Sequence, residues 1–152
     1  MHDCFSSENI TICEMTEDDI EKVSMIEEEC FSMPWKPDDF REMIARDNMT
    51  YVVLKIDGEI AGGAGLRCIV GDGEITNVAI SERYRGNGYS KPMLEALLKK
   101  GEELGCNEYT LEVRVSNEPA IRLYKSLGFL EEGVRPGFYE HPREDALIMW
   151  KR

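Results

Sequence analysis

Apolar and polar positions change their spacing several times along the chain, and each spacing predicts one kind of element. Residues 10–15 alternate apolar and polar positions and residues 50–56 are rich in β-branched and aromatic residues, so both predict strands. Apolar positions after Thr16, a candidate N-cap, recur at helical spacing and predict a helix that ends near Phe31. Pro37 suits the first turn of a second, short helix. Further strands are predicted at 59–70, 74–80, 109–113, 129–134 and 146–150, and further helices at 92–104 and from Pro119 to a stop at Gly128.

This order of elements predicts an α/β fold, a mixed sheet with helices on both faces. Asp57-Gly58 is a two-residue turn that hairpins favour, so the strands on either side of it should be antiparallel. The helix between strands 74–80 and 109–113 forms a crossover, which predicts that these strands are parallel neighbours. Glycines within 62–65 weaken their strand and indicate a bulge or a close contact. The chain has 152 residues, enough for one core, so residues 1–152 are expected to form a single domain.

Composition narrows the classes of function. The chain carries 18 Lys and Arg against 30 Asp and Glu, a net charge of -12, and so lacks the basic face that nucleic acids require. The acidity either attracts cationic substrates such as basic peptides or serves solubility. Five separated cysteines without a CxxC pair, and only two histidines, argue against a zinc site and a disulfide framework. No stretch has the length of a membrane span and no leader pattern opens the chain, so a cytoplasmic protein without a metal or a membrane partner is expected.

The segment with the most specific chemistry is 85–91, RGNGYSK, between a predicted strand and a predicted helix. It does not fit the dinucleotide pattern GxGxxG, because Lys91 stands where the third glycine belongs, nor the GxxxxGK[ST] phosphate loop. A glycine turn into a helix N-terminus still presents free N–H groups and the positive end of a dipole to an anion. From these residues alone, the segment is either a phosphate site or an ordinary turn.

Resemblance to a known family separates these two interpretations. RGNGYS resembles the [QR]xxGx[GA] pyrophosphate loop of the GNAT superfamily of acetyl-CoA-dependent N-acetyltransferases, with Arg85 in the first position and Gly88 as the central glycine. The segments LEVRVSNEPAIRLYKSLGF and GFYEHPREDALIM, together with Pro34-Trp35, resemble one branch, the RimI-type ribosomal protein alanine N-acetyltransferases. The resemblance spans nearly the whole chain. It implies a GNAT-like, mostly antiparallel central sheet of about seven strands with helices on both faces.

The resemblance also implies that acetyl-CoA is the cosubstrate and that a strand, the loop and a helix cap bind it. The residues implied are Val78, Ala79, Ile80, Arg85, Gly86, Asn87, Gly88, Tyr89, Ser90, Lys91 and Asn117. Two residues depart from the family pattern. Ser90 stands where the loop usually carries Gly or Ala, and Pro92 has no N–H to offer an anion. The phosphate site is therefore expected to use backbone donors from Gly88 to Lys91 only.

By the same resemblance, Glu112 is the general base and Tyr124 the general acid. An α-amine arrives largely protonated, so a carboxylate has to take a proton before the amine attacks the thioester directly. A phenol can then protonate the leaving thiolate, while a strand N–H near Val78 stabilises the oxyanion. By spacing alone, the pattern favours a solvated strand residue at Glu112 and a core tyrosine at Tyr124, and only the resemblance assigns them catalytic roles.

The substrate is expected in a groove walled by Phe31, Trp35, Arg135 and Tyr139, although Phe31 and Trp35 could also be packed core. The resemblance implies a protein or peptide N-terminus as the partner, in the type case the N-terminal alanine of a ribosomal protein. Two alternatives stay open, a small-molecule amine acetyltransferase of the same fold and a non-catalytic CoA-binding regulatory module. The oligomeric state is also open, with a monomer slightly favoured.

Overall fold

One mixed sheet runs through the structure, a computed structural model that describes residues 5–7 and 9–152. Its strands are β1 (Phe5–Ser7), β2 (Ile10–Glu14), β3 (Met49–Ile56), β4 (Glu59–Ile69), β5 (Asp72–Ile80), β6 (Glu108–Arg114), β7 (Leu130–Tyr139) and β8 (Glu144–Lys151). The α-helices are α1 (Ile20–Cys30), α2 (Pro37–Ile44), α3 (Ser90–Glu103) and α4 (Glu118–Ser126). In the described chain, the sheet has eight strands in the order β1-β2-β3-β4-β5-β6-β8-β7.

Helices cover both faces of the sheet. Side chains alternate along each strand, so one strand contributes apolar residues to both faces. In β3, Val52 and Leu54 lie in a core that they share with α3 and α4. Their neighbours Tyr51 and Val53 lie in a second core, which they share with α1 and α2. The sheet is therefore buried between two layers of helices, as in other α/β folds.

The parallel pair of β5 and β6 is the part of the sheet that borders the candidate site. Its ladder is short, because it pairs only Asp72–Glu74 with Glu108–Thr110. Just beyond it, β5 carries a bulge against β4, where the register shifts between Gly63 and Gly65 and Asn77 adopts a φ of 56°. Past the ladder, β5 and β6 no longer pair, and the gap between them holds one of the two cavities described below.

The predicted fold class is confirmed, including the helices on both faces, the parallel crossover and the bulge on the glycine-rich hairpin. The differences lie at the ends of elements. β1 is an additional edge strand, and a short 3-10 helix, Glu17–Asp19, precedes α1. β7 continues to Tyr139 although Pro136 and Gly137 interrupt its pattern, because a shift of register between Arg135 and Tyr139 accommodates them.

The cysteines differ from the expectation at one position. The sequence argued against a disulfide framework, yet Cys13 is disulfide-bonded. Cys30, Cys68 and Cys106 are free. Within the described ranges, no helix is long and apolar enough to cross a membrane. In the same part of the chain, no group of three or more His, Cys, Asp or Glu residues is arranged to hold a metal ion.

Candidate active site

The predicted phosphate loop forms the turn from β5 to α3. Gly86 and Gly88 have φ values of 78° and 77°, a region that residues with a side chain adopt only at a cost. A Cβ atom at either glycine would meet nothing within 4 Å, so both positions face open space. α3 begins at Ser90, and the first N–H groups of a helix have no partner inside it; Pro92 alone contributes none. The turn therefore offers room and free N–H groups to an anion.

This turn borders a cavity of about 300 Å³, which we call the loop cavity. It is lined by Val78, Ile80, Tyr84, Arg85, Gly86, Gly88, Tyr89, Ser90, Asn117, Pro119, Ala120, Leu123 and Tyr124. The loop cavity thus brings together the predicted cofactor residues except Ala79, Asn87 and Lys91. Ala79 is buried opposite Gly63 of β4. The Asn87 amide turns back and donates hydrogen bonds to the carbonyls of Tyr84 and Arg85.

Arg85 connects the loop to the end of β5. Its Nε donates to the Ile80 carbonyl at 2.8 Å, and its Nη2 donates to Cys30 Sγ at 3.2 Å. Cys30 Sγ in turn donates to the same Ile80 carbonyl at 3.4 Å. The Ile80 carbonyl is therefore paired within the chain, so a cofactor that used it would have to displace Arg85.

A second cavity, of about 600 Å³, lies in the gap between β5 and β6, and we call it the central cavity. Its lining consists of Glu27, Cys30, Phe31, Ser32, Met33, Trp35, Ile75, Thr76, Asn77, Val78, Leu111, Glu112, Val113, Arg114, Asn117, Tyr124, Phe138, Tyr139 and Glu140. Val78, Asn117 and Tyr124 line both cavities, so the two adjoin at these residues. Asn117 is held there as the cap of α4, because its Oδ1 accepts from the Ala120 N–H at 3.3 Å.

Glu112 lies on β6 between Leu111 and Val113, which are buried in the larger core, and so its side chain points to the opposite face. The Nε of Arg135 is 3.0 Å from Glu112 Oε2, yet this buried oxygen accepts no hydrogen bond of good geometry. Burial raises the pKa of Glu112, the charge of Arg135 lowers it, and the charge of Glu74 raises it again. A carboxylate with a raised pKa accepts a proton better than a fully solvated one.

Tyr124 is at once a core residue and a cavity residue. Its ring packs against Phe129 with centroids 6.0 Å apart, and the residue is buried. It nevertheless lines both cavities. Burial, together with the nearby Tyr139, raises the pKa of its phenol, so the hydroxyl group stays protonated at neutral pH. A protonated phenol at the junction of the cavities is chemically suited to donate a proton there.

Three of the predicted wall residues line the central cavity, namely Phe31, Trp35 and Tyr139. The Trp35 ring also packs on Phe40, with centroids 5.4 Å apart, so this residue is both core and wall. Arg135 lines an adjoining cavity instead, where it forms the charge pair described above.

Arg114 holds two loops at the mouth of the central cavity, and the sequence analysis did not identify it. Its guanidinium donates to the carbonyls of Glu140 at 3.1 Å and Pro142 at 2.9 Å, and it lies 4.5 Å above the Tyr139 ring. Ser32 Oγ donates to the same Glu140 carbonyl at 3.3 Å. The loop after α1 and the loop between β7 and β8 therefore meet here. No motif marks Arg114, because its partners are brought to it only by the fold.

Glu27 is a second acidic residue of the central cavity that the sequence analysis missed. It is 3% exposed, and its Oε2 accepts from the Trp35 backbone N–H at 3.2 Å and from Asn77 Nδ2 at 3.0 Å. Its Oε1 has no partner. Burial raises the pKa of Glu27, and the two hydrogen bonds lower it in part. A signal did exist, since Glu27 follows Val23 by one helical turn and so falls on the buried face of α1.

The fold is that of an acetyltransferase family. A model of the Acetyltransferase (GNAT) family matches residues 20–129, and the chain belongs to this family, which makes it an acyltransferase.

The names of its relatives are more specific than the name of the family. The chain is 38% identical over 134 residues to a Bacillus subtilis (strain 168) protein provisionally named a ribosomal protein bS18-alanine N-acetyltransferase, covering 88% of this chain and 89% of the relative. It is 30% identical over 141 residues to the ribosomal protein bS18-alanine N-acetyltransferase of Escherichia coli (strain K12), covering 91% and 95%. The crystal structure of the ribosomal-protein-S18-alanine N-acetyltransferase from Escherichia coli superposes with a TM-score of 0.84, covering 93% and 92%. The resemblance to the RimI-type branch is thereby confirmed.

Proposed function

We propose that this protein transfers the acetyl group of acetyl-CoA directly to the α-amine of a protein N-terminus, with the N-terminal alanine of a ribosomal protein as the expected substrate. The observation that carries the proposal is that Glu112 and Tyr124 line one cavity, and that Tyr124 also lines the adjoining loop cavity. The similarity to relatives named as bS18-alanine N-acetyltransferases supports the choice of substrate. One domain covering residues 1–152, acting in the cytoplasm, is part of this proposal.

Acetyl-CoA fits the loop cavity by the chemistry of its donors. The open glycine turn and the N-terminus of α3 suit a pyrophosphate, and the end of β5 at Val78, where β5 no longer pairs with β6, suits an amide-bearing arm. Bound there, acetyl-CoA would supply an activated acetyl thioester. Asn117, at the boundary of the two cavities, would contact the cosubstrate from the α4 side.

The residues of the central cavity then have separate tasks. Glu112 takes a proton from the peptide ammonium group, directly or through water, which creates the nucleophilic amine. The N–H of Val78 can donate to the oxygen on which negative charge develops. The Tyr124 hydroxyl donates its proton to the departing sulfur, and its raised pKa keeps that proton available at neutral pH.

A peptide suits the mouth of the central cavity better than a small amine does. Met33 and Phe138 line the cavity and are nevertheless 69% and 43% exposed. Exposed apolar side chains around a cleft are typical of surfaces that bind another chain. They would contact the residues that follow the N-terminal amine.

The test is an acetyl-transfer assay on a peptide panel. Peptides that begin with free Ala, Ser or Met are compared with a peptide whose only amine is an internal Lys and with small polyamines. We expect the Ala peptide to react fastest and the Glu112→Gln variant to be at least about 100-fold slower, since general base catalysis contributes that much. Preference for the internal Lys or for a small amine would contradict the proposed substrate. Full activity of Glu112→Gln would contradict the proposed base, and binding of acetyl-CoA without any transfer would indicate a regulatory module.

A further inference from the structure

Buried oxygens without a hydrogen bond concentrate around the central cavity. In the part of the chain that the structure describes, four buried side-chain atoms lack a hydrogen bond: Ser24 Oγ, Glu27 Oε1, Thr76 Oγ1 and Glu112 Oε2. All of these residues except Ser24 line the central cavity. Buried polar atoms are normally paired, because an unpaired one loses its hydration without compensation. Glu112 Oε2 already lies 3.0 Å from the guanidinium of Arg135, so Glu27 Oε1 and Thr76 Oγ1 are the buried oxygens that a ligand of matching chemistry would complete.

The two carboxylate oxygens of Glu27 have different contacts. Oε2 is fully used by the scaffold, since it accepts from Trp35 N–H in the loop after α1 and from Asn77 in the β5 bulge. Oε1 contributes to neither contact and has no partner. A carboxylate that is 3% exposed is costly to keep charged, and a structural role would be served by Oε2 alone. The second oxygen is what requires an explanation.

The chemistry of these acceptors selects a cation with several N–H donors. A carboxylate accepts and does not donate, and its strongest partners are charged donors. A primary ammonium group carries three donors and one positive charge. Glu112 and Thr76 add an anionic and a neutral oxygen to the same cavity. A peptide with a free N-terminus is the ligand that meets these conditions at a site for acetyl transfer.

We propose that Glu27 Oε1 accepts a hydrogen bond from the α-ammonium group of the substrate, so that two carboxylates, Glu27 and Glu112, hold the peptide N-terminus. This inference rests on the proposed function, because it places an amine substrate in the central cavity. When Glu112 removes one proton, the nitrogen keeps two N–H bonds and gains a lone pair. The bond that remains to Glu27 restricts the direction in which this lone pair points. Glu27 is thus a substrate-binding residue, separate in role from the base.

The variant Glu27→Gln tests the contribution of Oε1 apart from that of Oε2. The glutamine oxygen can still accept from Trp35 and Asn77, while its NH₂ group replaces Oε1 and presents a donor where the ammonium needs an acceptor. Ser24→Ala is the matched control, because Ser24 lies one turn earlier on α1 and carries an unpartnered buried oxygen outside the central cavity.

The experiment measures binding rather than turnover. Calorimetry with CoA-loaded protein gives the Kd of a hexapeptide beginning with Ala and of the same peptide with propionyl in place of alanyl, which removes only the amine. For the wild type and Ser24→Ala, we expect the amine peptide to bind at least about tenfold more tightly, as for a charged hydrogen bond. For Glu27→Gln, this ratio should fall to within about threefold, with the affinities for the propionyl peptide and for CoA unchanged.

Each outcome decides the inference. A full wild-type ratio in Glu27→Gln overturns it and leaves the proposed function intact, and so does an equal loss of affinity for both peptides, which indicates a scaffold role only. A wild-type ratio near one, without acetyl transfer, overturns the proposed function and the inference with it. If circular dichroism shows that Glu27→Gln is unfolded, the wild type is tested with an N,N,N-trimethylated Ala peptide, which keeps the charge and lacks N–H donors. Binding as tight as that of the free amine would then overturn the inference.

Discussion

The hydroxyl group of Tyr124 can be removed without changing the packing of its ring. In Tyr124→Phe the apolar contacts with Phe129 remain, so the melting temperature should change little. The departing sulfur loses its proton donor, and we expect kcat to fall between about 100-fold and 10,000-fold, with an unchanged Kd for acetyl-CoA. Steady-state kinetics and calorimetry check both parts.

Tyr109→Phe is the control for this change. Tyr109 is also a buried tyrosine, but its hydroxyl donates to the Leu98 carbonyl at 2.8 Å, away from both cavities. Its loss should destabilise the fold by about 1 kcal/mol and leave kcat unchanged. A variant Tyr124→Phe with wild-type kcat would show that Tyr124 serves packing alone.

Arg135 should set the pH at which Glu112 becomes active. Its positive charge lowers the pKa of Glu112, against the raising effect of burial, and the base works only when deprotonated. In Arg135→Gln the pKa of Glu112 rises, so the acid limb of kcat/KM moves to higher pH. The shift should be less than about one pH unit, because Arg135 is half exposed and solvent screens its charge.

A pH profile of kcat/KM across the acid range measures this shift. Arg122→Gln removes the same charge from an exposed position on α4 and should leave the profile unchanged. An acid limb that stays in place or moves to lower pH in Arg135→Gln would argue against Glu112 as the titrating base.

At the scale of elements, the glycine turn before α3 combines a strained backbone with open space. Gly88→Ala keeps φ near 77° only at a cost of about 1–2 kcal/mol, and its methyl group would enter the space that an anion needs. We expect the Kd for acetyl-CoA to rise at least tenfold, about 1.4 kcal/mol, in addition to a lower melting temperature.

Gly58→Ala provides the comparison, because Gly58 has a φ of 84° in the turn from β3 to β4 and a Cβ atom there also meets nothing within 4 Å. It should lower the stability to a similar extent and leave the Kd for acetyl-CoA unchanged. Equal affinities of the two variants for acetyl-CoA would contradict the assignment of the loop cavity.

Most elements were predictable because their signals are local. Helical spacing located α1, the Asp57-Gly58 turn located a hairpin, and Asn117 with Pro119 located the start of α4. The last hairpin was predicted too short, since Pro136 and Gly137 normally end a strand. A tertiary effect, the register shift in the pairing of β7 with β8, keeps it continuous.

The candidate site was predictable where a residue's role belongs to a short segment. The glycine loop and the cap at Asn117 are of this kind, and the loop cavity includes them. The roles of Glu27 and Arg114 depend on partners 50 and 26 residues away in the chain, Asn77 and Glu140. A single sequence contains no sign of such pairs. Glu112 and Tyr124 lie between these cases, since only family resemblance distinguished them from ordinary strand and core residues.

The charge of the whole molecule makes a separate prediction. The net charge is -12. The lining of the central cavity contains three acidic residues, Glu27, Glu112 and Glu140, and one basic residue, Arg114. Raising the ionic strength from about 0.01 M to about 0.15 M shortens the Debye length from about 30 Å to about 8 Å. We expect KM to rise several-fold for an Ala peptide followed by basic residues. An Ala peptide followed by neutral residues should show no change, and an identical response of both peptides would assign the acidity to solubility alone.

The three-residue ladder between β5 and β6 also bears on how the chain folds as it is synthesised. β1 to β5 follow one another in both sequence and space, each paired with the next by an antiparallel hairpin or meander contact. All the antiparallel pairings among β1 to β5 can therefore form once Ile80 has been made. In the described chain, β6 to β8 pair among themselves, and their only strand pairing with this unit is the ladder at Asp72–Glu74. Such an order of contacts permits vectorial folding, in which the N-terminal meander forms first and the C-terminal strands dock onto it.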